Sequence, residues 1–380
     1  MTEFKRNCKS FREDYACEIM TAEGLKDCTD CMFYEPISKK ILLIKLGAMG
    51  DVVRTTPVLL GLKKKYGNNI HVTWLVKEES LPLLKNNPGI NKILPYNQEN
   101  IFRLKHEKFD VLINLDLEPS ATLTANEVKA DEKYGYYFNE DGHPSPFNKS
   151  AEYYLHRALS NHINKENRKT YQEMMFEIAE LDYNKEIMFL DDYKAFKKIA
   201  EEFIEKNLRD NTKKIIGINV GSAGKWPSKA WHPDKIIEFV KKANDQYKII
   251  LLGGPEEKKL IPEIINRLNE LEIKGIPSNN TDNSIEEFIQ LLNVCDLVIT
   301  GDSLAMHMSV ALNKKVVSLF FCTPPWEIEP YNNIEKIQSP LLMENYYIDY
   351  LDEDLTKSIS ADEVLKKCQK QLQSSVFSKT

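Results

Sequence analysis

Residues 41–57, reading I-L-L-I-K-L-G-A-M-G-D-V-V-R-T-T-P, constrain what this chain can fold into more than any other stretch. The opening run of isoleucine and leucine suits a strand buried on both faces of a parallel sheet, and a Gly47-x-x-Gly50 turn follows at once. A helix is expected over Val58 to Tyr66, with Lys63, Lys64 and Lys65 in its last turn and Gly67 placed to end it. Strand, glycine turn and helix form the opening unit of a nucleotide-binding α/β domain. Asp51 does not suit ordinary phosphate binding there, because a carboxylate competes with phosphate for the positive end of a helix. Nor does the turn match G-x-G-x-x-G, since the second and third glycines are missing. Two readings of Asp51 stand side by side: the turn presents a carboxylate, or Asp51 is an N-cap. Thr56 before Pro57 is a second candidate cap, which leaves the helix start open.

A chain of 380 residues is long for one core, so two domains are expected. Charged residues make up 28% and the net charge is −6, which fits a soluble protein and argues against a nucleic-acid partner. A peripheral membrane contact stays open, because a local basic face can exist on an acidic chain. No apolar run reaches transmembrane length, and Met1 to Asp14 is polar and mixed in charge, unlike a signal peptide, so a cytoplasmic location is expected.

Four of the seven cysteines, Cys8, Cys17, Cys28 and Cys31, precede the first strand, the last two as C-x-x-C. The segment around them is polar and too small for its own core, so a structural zinc or iron held by the four thiolates is expected, with a redox pair or loose thiols as alternatives. Cys295, Cys322 and Cys368 read as packing residues.

Short apolar runs alternating with helical spacing continue through Ile70–Val76, Ile93–Leu94 and Phe109–Leu115, the pattern of a doubly wound sheet. Tyr134 to Ser150 reads as a loop, being rich in aromatic residues, Gly, Pro and Asn. Helical spacing covers Ala151 to Leu181. A second α/β set follows, with strands expected at Lys214–Val220, Tyr247–Leu252, Leu297–Thr300 and Val316–Phe320. The expected organisation is a Cys-rich segment over 1–38, a first Rossmann-like domain over 39–181, a linker over 182–190, a second over 191–345 and a helical tail over 346–380.

Ligands bind open α/β sheets at the carboxyl ends of strands, and three turns of the second half fall there. Residues 221–231, G-S-A-G-K-W-P-S-K-A-W, offer small residues for close backbone approach, Ser222 among them, with Lys225 and Lys229 supplying charge. At Gly253-Gly254-Pro255-Glu256-Glu257 a carboxylate could accept from ribose hydroxyls or merely complement a helix dipole. At Thr300-Gly301-Asp302-Ser303, Asp302 or Ser303 would cap a helix aimed at a diphosphate, with His307 one turn on.

Taken together, these residues resemble glycosyltransferase family 9, the heptosyltransferases. The resemblance rests on Leu46 to Asp51 with Arg54 to Pro57, on Asn219 to Trp231, on Gly253-Gly254-Pro255-x-Glu257, and on Asp302 to His307. It implies the two-domain GT-B fold, in which two Rossmann-like domains face a cleft, the first binding the acceptor and the second the nucleotide-sugar donor. It implies Asp51 as general base, Lys229 as a diphosphate partner, Glu257 near the nucleoside, and Asp302, Ser303 and His307 around the donor. Gly50, Ser222, Lys225 and Gly254 complete the expected binding set. Val220, Gly224-Lys225, Ala230 and Leu304 depart from the family pattern, and Leu304, standing where a glycine is usual, could crowd the donor.

The function expected on these grounds is inverting transfer of a sugar, heptose from ADP-heptose, to a hydroxyl on a glycan, lipid-linked or protein acceptor. The arrangement does not call for a catalytic metal. Two other functions compete with it: a catalytically silent, metal-ordered protein that binds nucleotide-sugar or glycan, and a Rossmann oxidoreductase, which the missing fingerprint disfavours.

Overall fold

A computed structural model describes residues 3–13, 15–222 and 226–373. They form two units: those within 1–48, 55–164 and 172–186 make the first, and those within 49–54, 165–171 and 187–380 the second.

The first unit is built on a six-stranded sheet of β1 (Lys39–Ile44), β2 (Ile70–Val76), β3 (Lys92–Pro95), β4 (Lys108–Asn114), β5 (Lys129–Phe138) and β6 (Pro144–Pro146), in the order β3-β2-β1-β4-β5-β6. The apolar run of residues 41–44 is fully buried and lies centrally, parallel to β2 (Leu43 beside Trp74) and to β4 (Ile41 beside Val111). Burial on both faces accounts for its lack of alternation. Leu42, Ile44, Leu75, Phe109 and Leu112 form part of one core cluster, with Ala121 and Ala125 of the helix Pro119–Glu127 packed into it.

Residues 134–150, expected as a loop, instead carry the second half of β5 and all of β6. The two pair antiparallel, Tyr136 opposite Pro146 and Phe138 opposite Pro144. Asn139 and Gly142 belong to the hairpin connection, where Asn139 donates its backbone N–H to the His143 carbonyl at 3.0 Å, while Gly135 lies in β5 and Pro144 and Pro146 in β6. The aromatic residues are strand residues, and Tyr136 is fully buried. Helical spacing over residues 151–181 resolves into three helices, Glu152–Leu159, Asn161–Glu166 and Tyr171–Ile178.

The second unit holds a five-stranded, all-parallel sheet of β7 (Ile215–Asn219), β8 (Lys248–Leu252), β9 (Leu297–Gly301), β10 (Lys315–Phe320) and β11 (Ile334–Gln338), ordered β11-β10-β9-β7-β8. One of its cores joins Ile216, Ile218 and Leu251 of the sheet to Phe239 and Val240 of the helix Pro233–Ala243 and to Val364 and Cys368 of the tail helix Ala361–Gln373. Cys295, Cys322 and Cys368 are buried free thiols, as a packing role requires, and burial pushes Cys295 up to about 12 and Cys322 to about 11. Asp352 accepts from the Leu355 N–H at 2.9 Å and so caps the helix Glu353–Lys357. Among the described residues no helix is long and apolar enough to cross a membrane.

Candidate active site

In the first unit the turn after β1 is fixed by a buried ion pair. Lys45 (1% exposed) donates Nζ–H to Asp116 (6% exposed), whose other oxygen accepts from the backbone N–H groups of Leu46 and, at 2.9 Å, Gly47. Asn114, at the end of β4, holds Asp116 in place by accepting its N–H and donating to its carbonyl, both at 3.1 Å. A buried carboxylate is tolerated because both its oxygens are satisfied.

The chain then starts a short helix at Met49 and runs it to Thr55, with a second helix over Val58–Tyr66. This differs from both expected caps. Asp51 lies inside the first turn of the earlier helix, past the cap position, while Pro57 occupies the N-cap of the later helix with no side-chain cap bond. Asp51 forms an ion pair with Arg54 at 2.7 Å, and the Arg54 guanidinium lies over the Tyr171 ring at 3.8 Å. Burial opposes the Arg54 charge, and the neighbouring carboxylates, Asp51 first, outweigh it.

Residues 49–54 belong with the second unit. A side chain on Gly50 would meet the His307 ring at 2.7 Å, so only glycine fits there without a shift. His307 and Asp302 lie on the turn and helix that follow β9, where Ser303 is the N-cap of Leu304–Ala311. Lys229, in the turn Pro227–Lys229, pairs with Asp302 at 3.0 Å. Burial alone would raise the Asp302 carboxyl, but Lys229 and the other neighbours hold it well below the usual carboxylate range. Burial, then Arg54, pushes His307 down to about 4, so its ring is neutral near pH 7. The spacing of this turn is tight as well: a side chain on Gly301 would meet the Lys229 carbonyl at 2.1 Å.

Beside this cluster is a pocket of about 190 Å³ at the carboxyl ends of β7, β8 and β9. Met49, Ser222, Gly254, Glu257, Ser303 and Leu304 are among its walls. Glu257 accepts from the Gly254 N–H at 2.8 Å, and burial raises its carboxyl. Ser222 donates to the Trp226 carbonyl at 3.0 Å, and the Ser303 hydroxyl lies 2.9 Å from that of Thr300. Leu304, which departs from the family pattern, is one of the residues lining this pocket. Lys225 lies outside the described residues.

The structure therefore brings Asp51, Gly50, Lys229, Asp302 and His307 into one neighbourhood, with Ser222, Gly254, Glu257 and Ser303 on the adjoining pocket. Tyr171, Lys45 and Asp116 were not singled out from sequence, and Arg54 entered only as part of the opening motif, with no role given to it. Arg54 carried a signal, a cation three residues after Asp51 on a helix. Tyr171 carried none, because its approach is purely tertiary. Cys8, Cys17, Cys28 and Cys31 line a different cavity, in the first unit.

Two Rossmann-like parallel-sheet units, the second with glycine turns and a paired lysine at the carboxyl ends of its strands, are the architecture of the GT-B class. The chain belongs to glycosyltransferase family 9 (heptosyltransferase), whose profile it matches over residues 101–345. It is 26% identical over 325 residues to lipopolysaccharide heptosyltransferase 1 of Campylobacter coli, covering 78% of this chain and 88% of that protein. It is 23% identical over 313 residues to the lipopolysaccharide core heptosyltransferase OpsX of Haemophilus influenzae, covering 79% and 84%. The fold is shared with the family 9 glycosyl transferase of Veillonella parvula (TM-score 0.68, 21% identity, 88% of this chain and 97% of that one). It is also shared with ADP-heptose LPS heptosyltransferase II of Escherichia coli (TM-score 0.65, 19% identity, 88% and 98%).

Proposed function

We propose that this enzyme transfers heptose from ADP-heptose to a hydroxyl of a lipopolysaccharide-type acceptor, with inversion at the anomeric carbon. One observation carries the reading: the Asp51 carboxylate, oriented by Arg54, stands in the same cluster as the Lys229–Asp302 pair, beside a pocket walled by glycine turns. The names of the relatives supply the sugar class, and that of the Escherichia coli neighbour the ADP-heptose donor.

In this mechanism the acceptor oxygen attacks the anomeric carbon from the face opposite the nucleotide. Its proton passes to Asp51 as the new carbon–oxygen bond forms. The bond from the anomeric carbon to the phosphate oxygen breaks, and its electron pair leaves with ADP. Such a base is worth roughly 10²- to 10⁴-fold in rate. The departing charge is met by Lys229 and by backbone N–H groups at the start of Leu304–Ala311, with Lys225 as a further cation. Because Lys229 is paired with Asp302, the diphosphate competes with that carboxylate for it. Neutral His307 stands beside Asp302 without adding a charge, and Glu257 accepts from the nucleoside, with Ser222, Gly254 and Ser303 along its path. The enzyme works in the cytoplasm and touches the membrane where its acceptor is lipid-linked.

The test is incubation of the purified protein with ADP-heptose and a heptose-free lipopolysaccharide core. ADP release coupled to transfer, with the product's anomeric configuration opposite to the donor's, is expected. Binding of ADP-heptose without transfer to any acceptor would favour the silent nucleotide-sugar binder, and retention of configuration would overturn the single displacement.

A further inference from the structure

The N-terminal segment is ordered without a core of its own. Its one helix, Glu18–Ala22, buries no residue, and Cys28 is the sole buried hydrophobic side chain among the described residues before β1. Met32 and Phe33 are exposed. Burial of this extent cannot offset the conformational entropy lost by some thirty-odd residues, at about 1–2 kcal/mol each for the backbone alone. Surface ion pairs add little: Glu13 meets Lys92 at 2.8 Å and also Arg103, both in half-exposed settings. Another source of order is needed.

That source is indicated by where the thiols go. Cys8, Cys17, Cys28 and Cys31 are all free, the last two sharing one turn, and all four line a single cavity of about 20 Å³. A void of this size holds one water or one small ion. Phe11 and Met20 close its walls with apolar groups. The Cys31 N–H reaches the Cys28 carbonyl at 3.4 Å, so the C-x-x-C pair is already turned back on itself. Among the described residues no three Cys, His, Asp or Glu side chains are gathered as a finished ligand set. The thiols thus ring the cavity without closing on it, and rotation of their side chains is what binding has to supply.

We propose that Cys8, Cys17, Cys28 and Cys31 bind one metal ion of the zinc or iron class as four thiolates, and that this ion holds the segment in its fold. On binding, the thiols give up their protons and four metal–sulfur bonds form with no change in the metal's oxidation state. The role is structural. The segment docks at the amino ends of the first unit's strands, where Lys9 donates to the Asn68 carbonyl at 2.8 Å and Ser38 to that of Asn69 at 2.8 Å. Those contacts lie at the opposite end of β1 from the Gly47 turn.

The full chain, purified under reducing conditions without chelator, should carry about one zinc or iron per chain by elemental mass spectrometry. The elemental measurement itself separates iron from zinc, and visible thiolate-to-iron absorption that appears on air oxidation marks iron. Chelator-stripped protein should take up Co²⁺ with thiolate charge-transfer absorption and regain a higher melting temperature. Cys28→Ser and Cys31→Ser should each lose most of the metal, while Cys31→His, keeping a ligand, should retain uptake where Cys31→Ser does not. Wild-type chain that holds no metal and takes up no Co²⁺ overturns the site, as does a Cys28–Cys31 disulfide in the reduced-state preparation. Metal content unaccompanied by any change in melting temperature on stripping overturns its structural role.

Discussion

At the scale of single residues, the neighbourhood of Asp51 is a set of charges that balance only as a group. Lys229 answers Asp302, Arg54 answers Asp51, and His307 stays neutral between them. The neutrality of His307 has a measurable sign. Its folded value of about 4 lies below the ordinary 6.5, so below pH 6.5 the unfolded chain binds a proton that the folded chain refuses. The stability this contributes is complete above pH 6.5 and is lost as the pH falls toward 4. Asp302, held below its ordinary value, adds a loss at still lower pH. Thermal melts from neutral pH to pH 4 should fall through that window, and His307→Gln should flatten the fall. An unchanged slope in the variant would remove His307 from the account. Sequence made several of these residues visible because Asp51, Lys229 and Asp302 stand in glycine turns beside strand ends. It could not show that Lys229 and Asp302 neutralise one another across 73 positions, since pairing at that separation is set by the sheet.

At the scale of elements, the strands were legible and their connections less so. Fully apolar runs such as residues 41–44 and 249–252 announce buried parallel strands, and the structure puts them at sheet centres or beside glycine turns. The hairpin of β5 and β6 was hidden because its turn residues and its aromatic strand residues are interleaved. Gly135 shows the cost of reading such glycines as loop: it lies inside β5, and a side chain there would meet the Asn114 carbonyl at 1.8 Å. The turn after β1 depends equally on a residue outside it. Asp116 joins the ends of β1 and β4, so Asp116→Ala removes the carboxylate that answers the buried Lys45 charge and the acceptor of the Leu46 and Gly47 N–H groups. A loss of about 3–5 kcal/mol in urea unfolding is expected. A change within a few tenths of a kcal/mol would show that water replaces the carboxylate.

At the scale of the whole molecule, the two units have separate cores, and the pocket belongs to the second. ADP at about 100 times its dissociation constant should therefore stabilise the protein by about 2.7 kcal/mol, read as a shift in the thermal transition of the second unit. No shift would exclude ADP from the pocket. The domain pattern was legible from two runs of alternating strands and helices. That residues 49–54 pack with the second unit was not, because the contact of Gly50 with His307 is made by distant segments with no shared periodicity. The same packing carries the central claim, that Asp51 is the base of the transfer reaction. Asp51→Asn keeps the shape and loses the basicity. Measured side by side, ADP-heptose affinity should hold within about threefold while the transfer rate drops about 10²- to 10⁴-fold. A variant that binds donor normally and transfers at a near wild-type rate would contradict the assignment.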